Sequence, residues 1–263
     1  IEMKILVLSD AHANIWALQA IMKKEKSYDI LAFAGDMVDY GTAPSEVITW
    51  FRKAENTCIV QGNHDLHAVQ IAHGIYANEA ERHQYKWIHY NLERMTEDQV
   101  AYLENLPESD CFCADGYVYL VKHQYRTESY DVIENRTQYL DFWRGHVPKE
   151  YWEVPKKRII FGHNHRQGIH VLDKGMEWMN PGSISYRRPD DPEKNAQYMV
   201  IKDGKTEIKK ISYDRSALYY EALIQKKRGQ MLVTEIQDFM FFFGDAKTSR
   251  EPLEEETDEK NRE

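Results

Sequence analysis

Hydrophobic residues in the first quarter of this chain fall in short unbroken runs, each cut off by a polar cluster. Ile5 to Leu8 stops at Ser9-Asp10, and Ile30 to Ala34 stops at Gly35-Asp36. Thr57 to Gln61 stops at Gly62-Asn63-His64-Asp65. Apolar runs of this length predict strands buried on both faces. Between them the spacing turns helical: Ile15, Leu18, Ile21 and Met22, then Val47, Ile48 and Phe51 behind a first-turn Pro44. Alternating strands and helices predict parallel pairing, which brings the polar strand ends to one edge of a sheet.

Further on, Leu66 to Glu104 reads as mostly helical and rich in aromatics, namely Tyr76, Tyr85, Trp87 and Tyr90. Thr96-Glu97-Asp98-Gln99 has the form of a helix start. Cys111 to Ala114 and Tyr117 to Val121 predict a hairpin about Asp115-Gly116, with His123 just beyond it. Tyr125 to Tyr151 is polar and aromatic, with no clear element. Arg158 to Phe161 predicts a strand ending in Gly162-His163-Asn164-His165. Ile169–Leu172, Glu177–Asn180, Gln197–Lys202 and Thr206–Ile211 predict late antiparallel strands, the last two joined at Asp203-Gly204. Ser216 to Lys227 has one apolar helical face, and Phe239 to Phe243 is an apolar patch that must pack somewhere. The expected organisation is one domain over 1–213, with a helical aromatic insertion at 66–106 and a loop insertion at 125–155. A helical extension over 214–249 and a charged, disordered tail over 250–263 follow.

Composition narrows the class. The chain has 263 residues, 42% hydrophobic and 29% charged, enough for a sizeable core in an ordinary globular protein. No run approaches bilayer length and no signal peptide is visible, with Met3 reading as the natural start. Three cysteines rule against a disulfide framework and fit a reducing cytoplasm. A net charge of −9 disfavours a protein built to grip long nucleic acid.

The strand ends carry the candidate chemistry: Asp10/His12, Asp36/Asp39, Asn63/His64 and His163/His165, with His123 as a fifth position. In an extended segment Asp10 and His12 would point to one side. The plain alternative is a turn capping the next helix through Asn14. Each cluster alone has such a reading, but together they gather five of the 11 histidines at strand ends with Asp and Asn. Taken as ligands, Asp10, His12, Asp36, Asn63, His123, His163 and His165 supply two negative charges and five neutral donors. That is too many for one ion, which takes about four to six ligands. Two ions fit if a carboxylate bridges, and mixed N/O donors favour Mn, Fe, Zn or Co.

In this order, Asp10-x-His12, Gly35-Asp36-x-x-Asp39, Gly62-Asn63-His64-Asp65 and Gly162-His163-x-His165 resemble the calcineurin-like metallophosphoesterase superfamily. Asn180-Pro181-Gly182-Ser183 resembles a further motif of its bacterial phosphodiesterase branch, which includes diadenosine-tetraphosphatase-like hydrolases. The resemblance implies a four-layer αββα sandwich of two mixed β-sheets with helices outside, plus the C-terminal helical extension. It implies one divalent transition-metal ion on Asp10, His12, Asp36 and His165, and a second on Asp36, Asn63, His123 and His163, with Asp36 shared. A metal-bridging hydroxide would attack phosphorus, with His64 as general acid oriented by Asp39. Asn63, His64, Arg126 and Arg187 would contact a small phosphorylated substrate, a dinucleoside polyphosphate or a phosphodiester. Two positions depart from the pattern. Lys122 stands before His123 where the family often has Gly. Tyr40 stands where the family's protein phosphatases carry Arg, which turns the reading from a phosphomonoester towards a diester or anhydride. A phosphomonoesterase or protein phosphatase, a nuclease and a catalytically inactive scaffold are the alternatives. The aromatics of 66–106 suit either a lid or a contact in a homo-oligomer.

Overall fold

A computed structural model describes residues 3–75, 86–186, 188, 190 and 193–244. In chain order its elements are β1 (Lys4–Leu8), α1 (Ile15–Glu25), β2 (Ile30–Phe33), α2 (Pro44–Lys53), β3 (Thr57–Ile59), α3 (Asn63–Ala72), α4 (Trp87–Leu92) and α5 (Glu97–Glu104). Then come β4 (Ser109–Ala114), β5 (Tyr117–Lys122), α6 (Arg136–His146), β6 (Lys157–Ile160), β7 (Gly168–Asp173), β8 (Met176–Asn180), β9 (Ala196–Lys202) and β10 (Lys205–Ile211). Two helices close the described chain, α7 (Ser216–Arg228) and α8 (Val233–Phe242).

The strands form two mixed five-stranded sheets, ordered β10-β9-β1-β2-β3 and β4-β5-β6-β8-β7. As the apolar runs predict, β1, β2 and β3 pair in parallel. The first sheet ends in the antiparallel pairs β1–β9 and β9–β10. Period-two alternation divides each buried strand between two cores. Leu6, Leu8, Leu31 and Phe33 pack outward against α1 and α2. Ile5, Val7 and Ala32 face inward, where they meet Tyr119, Val121, Ile160 and Met179 of the second sheet. Val118, Leu120 and Ile159 form the outer core of that sheet with Tyr139, Phe142 and Trp143 of α6. This is the four-layer sandwich. Each fully buried aliphatic chain contributes about 1.5–3 kcal/mol, which is why continuous apolar runs rather than alternating ones build these strands.

The turns follow their local chemistry. Asp115-Gly116 and Asp203-Gly204 close two hairpins with both residues of each pair at positive φ. Thr96 and Gln99 form the expected capping box. The stretch expected as a loop insertion differs, because it contains α6. Asn135 caps that helix through Gln138 N, and Tyr139, Phe142 and Trp143 make its buried stripe. Trp87 and Tyr90 are buried in one cluster with Leu218 and Phe239 of the C-terminal helices. Tyr76, Tyr85 and the charged tail lie outside the described residues. No helix among the described residues is long and apolar enough to cross a membrane.

Candidate metal centre

Five strand-end loops meet at the same edge of the sandwich. After β1, Asp10 and His12 approach each other, with His12 Nε2 3.9 Å from Asp10 Oδ1. An extended backbone does not achieve this. Asp10 and His12 sit at φ 55° and 43°, so the chain curls, and Asn14 beyond them also caps α1 through Ala17 N. Asp36, Asp39, His163 and His165 are likewise at positive φ. Non-glycine residues adopt that region at a cost of order 1–3 kcal/mol and cluster at functional sites.

Backbone hydrogen bonds lace the loops together. Asp10 N donates to Gly35 O, His12 N to Asp36 O, and Gly162 N to His123 O. Asn180 Nδ2 donates to Gly162 O, while Ser183 and Ser185 donate to the carbonyls of Asp10 and Ala11. Two glycines are required by close approach. A Cβ on Gly62 would lie 2.0 Å from Asp36 Oδ1, and one on Gly162 would lie 2.0 Å from Ser9 Oγ.

The carboxylates are buried and surrounded by imidazoles. Asp10 Oδ1 lies 3.0 Å from His165 Nε2. Asp36 Oδ2 lies 3.2 Å from His123 Nε2 and 3.8 Å from His12 Nε2. Burial pushes both pKa values up. The facing histidines, His165 for Asp10 and His123 for Asp36, outweigh it and leave both acids below their ordinary value. Asn63 Oδ1 sits between His123 Nε2 at 2.8 Å and His163 Nδ1 at 3.0 Å. Asp10, His12 and His165 could hold one cation, and Asp10, Asp36 and His123 another. Asp10 is common to these two groups, whereas the resemblance gives the shared place to Asp36.

Divalent cations suit this donor set. His12 is fully buried, and its Nδ1–H donates to Val38 O, which leaves the Nε2 lone pair facing two carboxylates without a hydrogen-bond donor. Burial holds that ring neutral, its pKa near 3. His163 Nε2 is a second buried nitrogen without a partner. Burial pulls His123 down, but Asp36 pulls it further up, to about 9, so a proton there balances Asp36. A cation held by the same atoms could take over that role.

Beside this group, His64 Nδ1 donates to Asp39 Oδ2 at 2.8 Å. Burial raises the Asp39 pKa, but the hydrogen bond and charge of His64 hold it below its ordinary value. Asn91 of α4 fixes the Asp39 loop, accepting from Asp39 N and donating to Gly41 O. Tyr40 turns its ring to His12 and His64, and Phe242 of α8 lies against both His12 and Tyr40. Arg126 pairs with Asp131 and lines none of the three cavities that have His163 in their walls. Arg187 lies outside the described residues.

Three contributors carry no role in the sequence reading: Asn91, Phe242 and Asp65. The Asp65 carboxylate accepts from the backbone N–H groups of Asp36, Met37, Val38 and Gly62, locking the loop after β2 to the start of α3. Burial and the charge of Asp36 raise its pKa to about 7. Its place at the third helical position after Gly62 was the available signal.

The calcineurin-like phosphoesterase superfamily domain matches residues 3–204. An uncharacterised protein of Methanocaldococcus jannaschii is 23% identical over 256 residues, covering 88% of this chain and 96% of its own. The crystal structure of a metallophosphoesterase from Sphaerobacter thermophilus superposes with a TM-score of 0.65 at 20% identity, over 90% of this chain and 98% of that one. An 85-residue stretch, 31% of this chain, is 34% identical to part of the symmetrical bis(5′-nucleosyl)-tetraphosphatase of Baumannia cicadellinicola subsp. Homalodisca coagulata, covering 30% of that protein. The domain match covers every strand but β10 and every strand-end loop described above, and the chain belongs to the calcineurin-like phosphoesterase superfamily of metal-dependent phosphoric ester hydrolases.

Proposed function

We propose that this chain hydrolyses a phosphodiester or phosphoanhydride bond of a small nucleotide at a centre of two divalent transition-metal ions. The observation that carries the reading is the unpartnered Nε2 of buried His12, faced by Asp10 and Asp36. Asp10, His12, Asp36 and His165 would hold one ion, and Asp36, Asn63, His123 and His163 the other. Imidazole, amide and carboxylate donors without thiolate favour Mn, Fe, Zn or Co. Bound there, the ions supply Lewis-acid polarisation of the phosphoryl oxygens and an activated nucleophile at neutral pH.

The chain's own residues do the rest. Val38 O and Ala34 O fix the His12 and His123 rings through their Nδ1–H groups, a support that orients ligand histidines. His64 lines a cavity of about 620 Å³ together with Asn63, His123 and His163. Asp39 fixes its tautomer and ring plane, and His64 then gives a proton to the leaving oxygen as general acid. Tyr40 cannot clamp a terminal phosphate as a guanidinium does, which favours a diester or anhydride over a phosphomonoester. The partial match to a bis(5′-nucleosyl)-tetraphosphatase supports a nucleotide substrate. The acidic balance weighs against a nuclease on long chains. Three free cysteines suit a cytoplasmic setting.

Purified protein assayed with manganese and bis-p-nitrophenyl phosphate tests the reading. Hydrolysis that collapses in Asp36→Asn supports it, and hydrolysis indifferent to that substitution refutes it.

A further inference from the structure

The candidate centre opens on two sides. One cavity, of about 620 Å³, carries Asn63, His64 and His123, while a second, of about 590 Å³, runs past Tyr130 and Trp178, and His163 lies on the wall of both. Each volume falls within the range of small-molecule sites, about 300–1,000 Å³.

The two differ in character. Glu108 and Glu128 line the first, but among the described residues no carboxylate lines the second. Arg166 and Arg188 bring positive charge to the second, whereas in the first Lys122 is paired with Glu108. Arg188 is paired with Asp190, which is not on the cavity wall. The second cavity also presents flat rings. Tyr130 is 70% exposed, an unusual place for so large a ring, yet it stacks on His163 with centroids 4.8 Å and planes 16° apart. His170 stacks on Trp178 in the same cavity, 3.8 Å and 12° apart. Burying an exposed ring face against a base contributes appreciably to affinity and tolerates any base.

We propose that this second cavity is a nucleoside subsite, in which a nucleobase stacks on the solvent-facing side of Tyr130 and the attached phosphate runs past Arg166 towards His163. The proposal rests on the phosphoesterase reading above and extends it. A scissile phosphate at His163 would carry one substituent into each cavity, as a diester or dinucleoside polyphosphate does and a monoester does not.

Calorimetric titration of the full-length, manganese-loaded chain with AMP and with ribose 5-phosphate tests it. AMP should bind at least about tenfold more tightly than ribose 5-phosphate. Tyr130→Ala should erase that advantage without changing ribose 5-phosphate binding, and Tyr130→Phe should keep it. Arg166→Ala should weaken both ligands. Equal affinity for the two ligands in the wild type, or an unchanged ratio in Tyr130→Ala, overturns the subsite. Hydrolysis of bis-p-nitrophenyl phosphate, run in parallel, separates the two claims. If it proceeds while AMP and ribose 5-phosphate bind equally, the subsite alone is wrong. If no hydrolysis occurs, the phosphoesterase reading fails, whatever the calorimetry gives.

Discussion

Phe242, at the end of α8, meets His12, at the tip of β1, edge to face, with centroids 4.9 Å and planes 83° apart. The same phenyl ring stacks on Tyr40 at 4.7 Å and lies 6.1 Å from His165. It is almost wholly buried. The C-terminal helices therefore do more than cover apolar surface: they close one side of the candidate centre against water.

Removing that ring has two expected effects. Phe242→Ala should cost about 3–5 kcal/mol of stability and let bound manganese exchange faster. Phe242→Leu should keep most of the stability. Thermal unfolding reads the first effect, and the rate of manganese loss to a chelator reads the second. Equal loss rates in wild type and Phe242→Ala would show that the ring shields nothing.

The pairing of His64 with Asp39 makes a prediction about the leaving group. His64→Ala should lower kcat about 10²–10³-fold on an alkyl phosphodiester, where protonation of the departing oxygen matters. The loss should be much smaller on bis-p-nitrophenyl phosphate, whose leaving group departs unaided. Metal content should not change. Equal losses on the two substrates would remove the general-acid role.

Gly62 offers a test of loop closure. A methyl group there would meet Asp36 Oδ1 at 2.0 Å and must displace that carboxylate. Gly62→Ala should lose bound metal and activity together. Gly145→Ala, in α6 with open space around it, should leave activity intact and raise stability by about 0.5–1 kcal/mol. Metal analysis and thermal unfolding of both variants decide it.

How much of this was legible in the sequence depended on the range of the interaction concerned. The strands were readable because runs such as Ile5 to Leu8 are buried on both faces and end abruptly in polar residues, so pattern alone marks them. The Asp115-Gly116 and Asp203-Gly204 turns were readable because their positive φ has a local residue signature. The curl that brings His12 over Asp10 was not, since an Asp or His at positive φ is held there by bonds from other loops, such as His12 N to Asp36 O. The same holds for Asn91, which reaches the Asp39 loop from a separate helix, and for Phe242, which shares no motif with the site it walls. The α6 stripe of Tyr139, Phe142 and Trp143 has helical spacing, but its polar surroundings hid it.

Glu25 predicts a pH dependence away from the centre. Its carboxylate is buried and bonded to Lys4 at 2.8 Å, Tyr198 at 2.7 Å and Lys209 at 3.3 Å. Burial raises its pKa, but the hydrogen bonds from Lys4 and Tyr198 and the two lysine charges bring it down from 4.5 to about 2. A folded-state value below the unfolded one means the stabilisation is complete above about pH 4.5 and lost as pH falls towards 2. Glu25→Gln should therefore be less stable than wild type at pH 7, by about 1–3 kcal/mol, with the gap closing over that acid window. Melting temperatures measured across pH would show it, and a gap constant from pH 7 to pH 2 would contradict it.

The central claim is that the strand ends hold a pair of metal ions around Asp10 and Asp36. Metal analysis of the purified full-length chain, grown with manganese and passed through a desalting column, tests it most directly. The account predicts close to two ions per wild-type chain and at most one in Asp36→Asn, with the fold intact by circular dichroism. A wild-type chain that retains no stoichiometric metal, or an Asp36→Asn chain that retains as much as wild type, would contradict it.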